Sequence, residues 1–264
     1  MPADLYFALT LIAKMLITAG FVLAATVTAE RAGPVVGGLV ASLPLGAGPV
    51  YVFLALDHGA RFIGASAVNS LAINAVNVIF ALVYALLAQT QPLIVSQPAA
   101  LVVWFVLAWA IHAVSWTVPG ALLLNVVVVS AAVALSHRLR HVPIPRVQTR
   151  WTDLVLRAAL VALLVGVTVT ASFHIGPSGS GILAVFPIIL ISVQIILHRR
   201  VGGKPSAAVM ANAIIGLIGF GCACIVLHFT AEPFGAAVGL MLALCAAVAW
   251  SLLVYAVRMR GIEL

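Results

Sequence analysis

Two stretches of this sequence are related to each other at one fixed offset, without a gap. Residues 10–90 align with residues 153–233 when the chain is shifted by 143 positions (153 − 10). The alignment depends on the pairs Gly33/Gly176, Pro34/Pro177, Gly38/Gly181, Ala41/Ala184, Pro44/Pro187, Gly59/Gly202, Asn69/Asn212, Lys14/Arg157 and Arg61/Lys204. Matched prolines, glycines and an asparagine are harder to obtain by chance than matched aliphatic residues. The duplication predicts a fold built from two related halves.

The composition of the chain indicates a membrane protein. Hydrophobic residues make up 64% of it and charged residues 7%, whereas a soluble domain carries about 25% charged residues. The apolar runs have roughly the twenty residues that cross a hydrocarbon core. They are expected to be helices, because lipid offers no partner for a bare backbone amide. Nine spans fit best, at residues 6–28, 35–56, 62–88, 97–116, 119–136, 153–173, 179–198, 206–230 and 234–257.

The spans divide into two groups of four and one extra helix. Residues 1–117 form the first four-helix repeat, residues 118–150 the linking helix with a basic loop, and residues 151–264 the second repeat. Because the extra helix reverses the direction in which the second half enters the bilayer, the repeats are predicted to be inverted. The predicted fold class is therefore an all-α polytopic membrane protein of about nine transmembrane helices, with two inverted four-helix repeats joined by one extra helix.

Basic residues predict the orientation of the chain. With the N-terminus outside the cytoplasm, Arg61 alone lies in an outer loop, and ten basic residues lie in inner loops. The ten are Arg31, Arg138, Arg140, Arg146, Arg150, Arg199, Arg200, Lys204, Arg258 and Arg260. This bias predicts a cytoplasmic C-terminus, in a bacterial inner membrane. The net charge of +7 is then a topology signal, reinforced by anionic lipids, and no nucleic acid is needed to explain it.

The second span of each half carries a proline near mid-membrane, Pro44 in one and Pro187 in the other. Proline removes a backbone donor and clashes with the preceding turn, so each span is predicted to be interrupted. Interrupted helices at mid-depth are where transporters of several folds hold their substrate. The alternative is that both prolines only kink packed helices. The candidate substrate-binding residues here are Ser42, Pro44, Gly46, Pro187, Ser192 and Gln194.

The third spans add polar groups. Ser70, Asn74 and Asn77 share one helical face, and Asn69 beside them recurs as Asn212. Asparagine is costly in lipid unless it is paired. The stripe therefore faces either a water-lined path or another helix, to which it would hydrogen-bond. Asn69 and Asn212 are included among the candidate substrate-binding residues.

Two cations, Lys14 and Arg157, lie within helices at equivalent places of the two halves. A charge inside the membrane serves function or extends to the headgroups. If both cations face a cavity, they attract anions from both sides, and they complete the candidate substrate-binding set.

Other chemistry is not indicated. The six acidic residues lie at predicted span ends, loops or termini, so no carboxylate at mid-membrane is expected to bind sodium or relay a proton. His112 is the titratable group left at depth, and a packed histidine is the simpler interpretation. The sequence has no Walker loop, dinucleotide fingerprint, zinc-ligand cluster or nucleophile set. No cofactor, metal site or enzymatic activity is predicted.

The segment GGLVASLPLGAGPVYVFLAL and its echo SGILAVFPIILISVQIIL contain Gly38, Ala41 and Pro44 in one half and their equivalents, Gly181, Ala184 and Pro187, in the other. They resemble the G-L-x-x-x-F-P span of GlpM-like small bacterial inner-membrane proteins. The resemblance covers about fifty residues in each half. It implies a fused, inverted double version of such a unit, and it implies nothing about the substrate.

These features predict a secondary transporter that moves a small anionic or amphiphilic metabolite by alternating access between inverted repeats. Two alternatives stay open. One is a lipid flippase or other lipid-handling membrane protein, with Lys14 and Arg157 at the headgroups. The other is a non-transporting subunit of a membrane complex. The expected partners are a small-molecule or lipid substrate and membrane lipids, with no nucleic acid, and homodimer formation stays open.

Overall fold

The computed structural model describes residues 3–31, 46–140, 142 and 150–260, and helices make up nearly all of this part of the chain. The helices are α1 (Ala3–Arg31), α2 (Ala47–Asp57), α3 (Ala60–Leu87), α4 (Leu93–His112), α5 (Val118–Ser136), α6 (Trp151–Ala184), α7 (Ile188–Val201), α8 (Gly203–Phe234) and α9 (Ala236–Met259). A short 3-10 turn, His137–Leu139, follows α5. Seven stretches within the described residues are long and apolar enough to cross a membrane. The chain is a multi-pass helical membrane protein.

Helix α3 lies at the centre of the bundle, and apolar side chains are exposed at the periphery. In the apolar stretch of α3, 78% of the residues are buried, against 11% in α1 and 17% in α5 and α9. Large apolar side chains point outward from the peripheral helices, with Ile94 81% and Trp109 76% exposed. Such a surface is unfavourable in water and matches a hydrocarbon environment.

Helix boundaries repeat at the offset of the sequence duplication. Helix α3 begins at Ala60 and α8 at Gly203, and α4 begins at Leu93 and α9 at Ala236. Both differences are 143 (203 − 60 and 236 − 93). The turns before α8 and α9 contain Gly202 and Gly235, each with φ of 87°, a backbone conformation that glycine adopts without strain.

Helices α3 and α8 pack antiparallel to each other. Tyr84, near the end of α3, has its hydroxyl oxygen 2.8 Å from Oγ of Ser206, early in α8. Gly64, near the start of α3, has its carbonyl oxygen 2.8 Å from Nδ1 of His228, late in α8. The two helices therefore run in opposite directions along most of their lengths.

Helices α1 and α6 are also antiparallel. The rings of Phe7 and Phe173 lie 6.5 Å apart, joining the start of α1 to the later part of α6. Val22, late in α1, packs in a buried cluster with Ala158, early in α6. In both pairs, helices that correspond at the offset of 143 residues therefore pack antiparallel to each other.

The stretch Trp151–Val201 changes direction. At 1.5 Å per residue, its 51 residues would measure about 75 Å as one straight helix, more than twice the hydrocarbon thickness. Gly176, with φ of 64°, interrupts α6. Phe173, late in α6, contacts His58 just before the start of α3. After Gly176 the chain runs back along α3, so that Val185 contacts Asn77 about halfway along that helix.

Several predicted span limits differ from the helices. The fourth span was expected at residues 97–116, but α4 covers Leu93–His112 and includes Pro98 in its first turns. Residues 113–117 instead form the turn to α5, where Thr117 Oγ1 accepts a hydrogen bond from the Gly120 amide. Pro98 is the sixth residue of α4 and has no amide to donate to the Ile94 carbonyl, so one helical hydrogen bond is absent there.

Candidate functional site

The second half contains an interrupted helix in the interior of the protein. Helix α6 ends at Ala184 and α7 begins at Ile188, with Pro187 as the residue that caps α7. The sequence predicts a break at this proline, and the helix is interrupted there. A carbonyl at such a break loses its helical partner and needs another.

The break is capped by side chains of neighbouring helices. Asn77 Nδ2 of α3 donates to the Val185 carbonyl at 2.8 Å. Asn77 Oδ1 in turn accepts from Nε1 of Trp104 on α4 at 2.7 Å. One turn earlier, Ser70 Oγ donates to the carbonyl of Gly181 at 2.6 Å. The break is therefore held by a fixed polar network, and the network ties α3, α4 and α6 together.

Replacing Asn77 with leucine is expected to lower the free energy of unfolding by about 2 kcal/mol, because the Val185 carbonyl and Trp104 Nε1 lose their partner inside the protein. Replacing Trp104 with phenylalanine removes one donor and should cost about half as much. Reversible unfolding in mixed micelles measures both. Equal stability of Asn77→Leu and the unchanged protein would contradict a capping role.

Residues at equivalent places of the two halves contact each other near this break. Asn74 Nδ2 on α3 donates to the carbonyl of Leu217 on α8 at 3.0 Å. A Cβ added to Gly46, which precedes α2, would lie 3.4 Å from Cγ1 of Ile189 on α7. Both pairs are 143 residues apart (217 − 74 and 189 − 46). The entrances to α2 and α7 thus meet in the interior.

The polar stripe of α3 bonds to other helices. Asn74 Nδ2 also donates to Oδ1 of Asn125 on α5 at 2.9 Å, and Asn125 Nδ2 donates to the Leu71 carbonyl at 2.6 Å. Ser70 and Asn77 bond to α6 and to the break, as described above. The sequence left two interpretations of this stripe, a water-lined path and contact with another helix. In the structure these side chains bond to other helices.

The repeated asparagines lie on α3 and α8. Asn69 Oδ1 accepts from Ser178 Oγ at 3.0 Å, and its Nδ2 donates to the Ala65 carbonyl of its own helix. Asn212 Nδ2 donates to the Ala208 carbonyl at 2.9 Å. Asn69 thus joins α3 to the segment that follows the Gly176 turn.

Lys14 forms an ion pair inside the bundle. Its Nζ lies 2.5 and 2.6 Å from the two carboxylate oxygens of Asp57, the last residue of α2. The two side chains are 16% and 18% exposed. Both line a cavity of 310 Å³, whose other lining residues are Tyr6, Phe7, Thr10, Leu11, Val169 and Phe173. This cavity carries one cation and one anion among aromatic rings.

A second ion pair has the opposite polarity. Arg200 Nη2, near the end of α7, lies 2.7 and 2.6 Å from the carboxylate oxygens of Asp153, in the first turn of α6. Arg200 is the equivalent of Asp57 (200 − 143 = 57), so a cation stands where the first half has an anion. Arg157 lies one turn beyond Asp153 on α6.

The two ion pairs lie at opposite ends of the bundle. Asp57 precedes the start of α3 by three residues, and Arg200 precedes Gly203, which packs against the carbonyl of Ala88 just after the end of α3. With 28 residues, α3 is about 42 Å long. One ion pair therefore lies near each end of α3.

His58 connects the α2–α3 corner to α6 beside the first ion pair. Its Nε2 lies 2.8 Å from Oγ of Ser172, and its ring stacks on Phe62 with centroids 4.0 Å apart. Burial lowers the pKa of His58, against the opposing effect of the Asp57 carboxylate. The imidazole is therefore uncharged at neutral pH and does not compete with Lys14 for Asp57.

An apolar groove lies between α1 and α2 of the first half and α8 and α9 of the second. Its volume is 690 Å³. Several lining side chains are largely exposed on the outer surface of the bundle, among them Ile17 at 62%, Leu56 at 72% and Met241 at 66%. In the described part of the protein, the groove thus opens sideways.

Some of the positions equivalent to the groove lining carry polar residues. The groove residues Tyr51, Ala55, Leu227 and Leu240 correspond, at the offset of 143, to Gln194, His198, Tyr84 and Gln97. The Tyr84 hydroxyl lies 2.8 Å from both His198 Nδ1 and Ser206 Oγ. The amides of Gln97 and Gln194 are buried, and neither has a hydrogen-bond partner among the described residues.

The structure does not bring the predicted site residues together in one place. Pro187 and Gly46 lie at the central meeting of α2 and α7, where Ser192 Oγ donates to the Ile189 carbonyl. Gln194 is buried toward the Arg200 end, and Lys14 lines the charged cavity. Ser42 and Pro44 lie outside the described residues.

The sequence reasoning missed Asp57, Asp153 and Arg200 as interior partners, because it assigned acidic residues to span ends. Asp57 and Arg200 occupy equivalent positions of the two halves and carry opposite charges. This difference was the sequence signal that could have indicated an ion pair at each position. Comparison with family models, curated proteins and solved structures finds no match for this chain. Its function must therefore be argued from the geometry.

Proposed function

We propose that the protein is a secondary transporter that works by alternating access between two inverted repeats, and that it moves a small anionic or amphiphilic metabolite. The observation that carries this proposal is the contact of Asn74 on α3 with its equivalent Leu217 on α8, two helices that run antiparallel. Gly46 and its equivalent Ile189 also lie next to each other. Residues that contact their own equivalents lie on a pseudo-two-fold axis. Halves related in this way can exchange two arrangements of similar energy, one open to each side.

In this proposal the chain crosses the bilayer nine times. The stretch Trp151–Val201 contributes two crossings, separated at Gly176, and the six other candidate spans contribute one each. Helix α2, which begins at Ala47, supplies the outer part of the ninth crossing. The N-terminus lies outside and the C-terminus in the cytoplasm of a bacterial inner membrane, as the basic residues predict.

The two ion pairs then hold the two ends closed. Lys14 and Asp57 join α1 to α2 at the outer end, and Arg200 and Asp153 join α7 to α6 at the inner end. Each pair lies within one repeat, so an arrangement open to one side requires the two helices of that repeat to move apart at that end. Substrate would reach the central residues, Pro187 and Gly46 among them, from the end that is open.

Chemical labelling in vesicles tests the exchange without a known substrate. Ser172, 2% exposed beside His58, and Ser206, fully buried beside Tyr84, report on the two ends. Each is replaced by cysteine in a background in which Cys222, Cys224 and Cys245 are alanine. A membrane-impermeant maleimide is added to right-side-out or inverted vesicles.

Weakening one end is expected to open it and to close the other. Asp57→Asn should speed labelling at position 172 several-fold and slow it at position 206, and Asp153→Asn should do the reverse, because each variant shifts one equilibrium. Glu232→Gln, at the exposed Arg61 pair, is the control and should leave both rates unchanged. Faster labelling of both positions in one variant, or unchanged rates in both, would overturn the exchange.

A lipid-handling protein, such as a flippase for a phosphate-bearing lipid, is the second candidate function. The sideways opening of the 690 Å³ groove favours it, because a soluble metabolite has no need of an opening toward hydrocarbon. Transfer of fluorescent lipid between leaflets of proteoliposomes, with Asp57→Asn and Asp153→Asn as slowed variants, separates this function from solute uptake.

A further inference from the structure

The groove between α1, α2, α8 and α9 offers no free hydrogen-bonding hydroxyl among its described lining residues. Thr18 Oγ1 donates to the Lys14 carbonyl at 2.8 Å, and the Tyr51 hydroxyl pairs with Ser70 Oγ at 2.7 Å. The remaining lining residues are aliphatic, aromatic or glycine, apart from the thiol of Cys224. A polar solute would lose its hydration here and gain no partner. The groove therefore fits a hydrocarbon chain.

The source of such a chain is the bilayer. The exposed lining residues Ile17, Val52 and Met241 face outward from the bundle, at the level of the candidate spans. The volume of the groove, 690 Å³, lies within the range of ligand sites in proteins. A groove that is open to lipid along its side is filled by an acyl chain.

The charged cavity adjoins one end of the groove. Lys14 lies one helical turn from Thr18 on α1, and Asp57 lies one turn from Phe53 on α2, and both Thr18 and Phe53 line the groove. Lys14 Nζ is 5.9 Å from the centre of the Phe53 ring. Apolar groove and charged cavity thus follow one another along the same two helices.

The ion pair selects the head that such a molecule carries. An anionic head would pair with Lys14 and leave the Asp57 carboxylate without a cation, at 18% exposure. A cationic head would leave Lys14 unpaired in the same way. A head with one anionic and one cationic group can pair with both, so that neither charge is left uncompensated.

We infer that the protein binds a single-chain zwitterionic phospholipid, with its acyl chain in the groove and its phosphate and ammonium groups at Lys14 and Asp57. The inference rests on the proposed function and names its substrate class. Because bulk lipid is as apolar as the groove, the chain contributes little net selectivity. Selection among lipids depends on the head.

Native mass spectrometry of the detergent-solubilised protein tests this with three probes of equal chain length. The probes are lysophosphatidylethanolamine, lysophosphatidylglycerol and an alkyltrimethylammonium salt. The zwitterionic probe is expected to bind about tenfold more tightly than the other two, the difference that one uncompensated charge-assisted contact produces.

Two variants separate head from chain. Lys14→Met combined with Asp57→Leu should bind the three probes equally. Ala237→Trp, at an exposed groove position, should weaken all three by a similar factor. Glu232→Gln should leave the preference unchanged. Equal binding of the three probes to the unchanged protein, or a zwitterion preference that persists in the double variant, would overturn the inference.

The outcome is independent of the labelling experiment. Binding is measured at equilibrium, without a membrane gradient and without exchange between open states. Zwitterion selectivity without reciprocal labelling would leave a lipid-binding protein that does not transport by exchange. Reciprocal labelling without selectivity would leave a transporter with another substrate.

Discussion

Replacing Asp57 with asparagine is expected to lower the free energy of unfolding by about 3 kcal/mol, because it leaves the Lys14 ammonium without its counter-charge inside the bundle. Both side chains are less than one-fifth exposed, and Nζ lies within 2.6 Å of both carboxylate oxygens. The value is taken at the low end of the range for buried pairs because both side chains remain partly exposed. Reversible unfolding of the protein in mixed micelles measures it.

The chain offers a matched control at the same end. Glu232 lies 3.9 Å from Arg61, with side chains 66% and 90% exposed, so Glu232→Gln should cost less than about 1 kcal/mol. Lys14→Met combined with Asp57→Leu removes both charges and should recover most of the stability that Asp57→Asn loses. A double variant less stable than Asp57→Asn would refute this account of the pair.

Replacing Gly181 with alanine is expected to cost about 3 kcal/mol, the upper part of the range for overpacking. An added Cβ would overlap the carbonyl of Ser66 on α3, which is backbone and cannot rotate away. The substitution would also strain the hydrogen bond from Ser70 Oγ to the Gly181 carbonyl. A lower unfolding midpoint in the same micelle assay is the expected result.

Gly216→Ala is the matched substitution in another helix. No atom lies within 4 Å of the Cβ that would be added there, and Gly216 is exposed on α8. Alanine should therefore stabilise the protein by up to about 1 kcal/mol through its higher helix propensity. Equal changes in the free energy of unfolding for Gly181→Ala and Gly216→Ala would contradict the close packing of α6 on α3 at Gly181.

The helical, multi-pass fold could be predicted because it depends on local properties of the chain. Hydropathy and length place most helices, and Pro187 predicts the interruption before α7. Helix limits were predicted less accurately. The fourth predicted span, residues 97–116, lies four residues too far along the chain, because α4 begins at Leu93 and ends at His112.

The ion pairs and the groove could not be predicted from local patterns. Lys14 and Asp57 are 43 residues apart, and Asp153 and Arg200 are 47 apart. Their pairing depends on how α2 packs on α1 and how α7 packs on α6. The groove depends on four helices at once. Asn74 and Asn77 were assigned to a path or to a helix contact, and only the partners Leu217 and Val185 decide between the two.

Several equivalent positions of the two halves carry different side chains, and this difference would set a direction for the proposed cycle. In the proposed exchange, Gln194 and His198 would take the groove-lining setting that Tyr51 and Ala55 now occupy. Polar groups pay a desolvation cost there. In the proposed cycle the two end states would therefore differ somewhat in energy, and the empty protein would rest mainly in one of them. Such a carrier would bind substrate faster from one face of the membrane than from the other, although the equilibrium distribution of the substrate across the membrane would be unchanged.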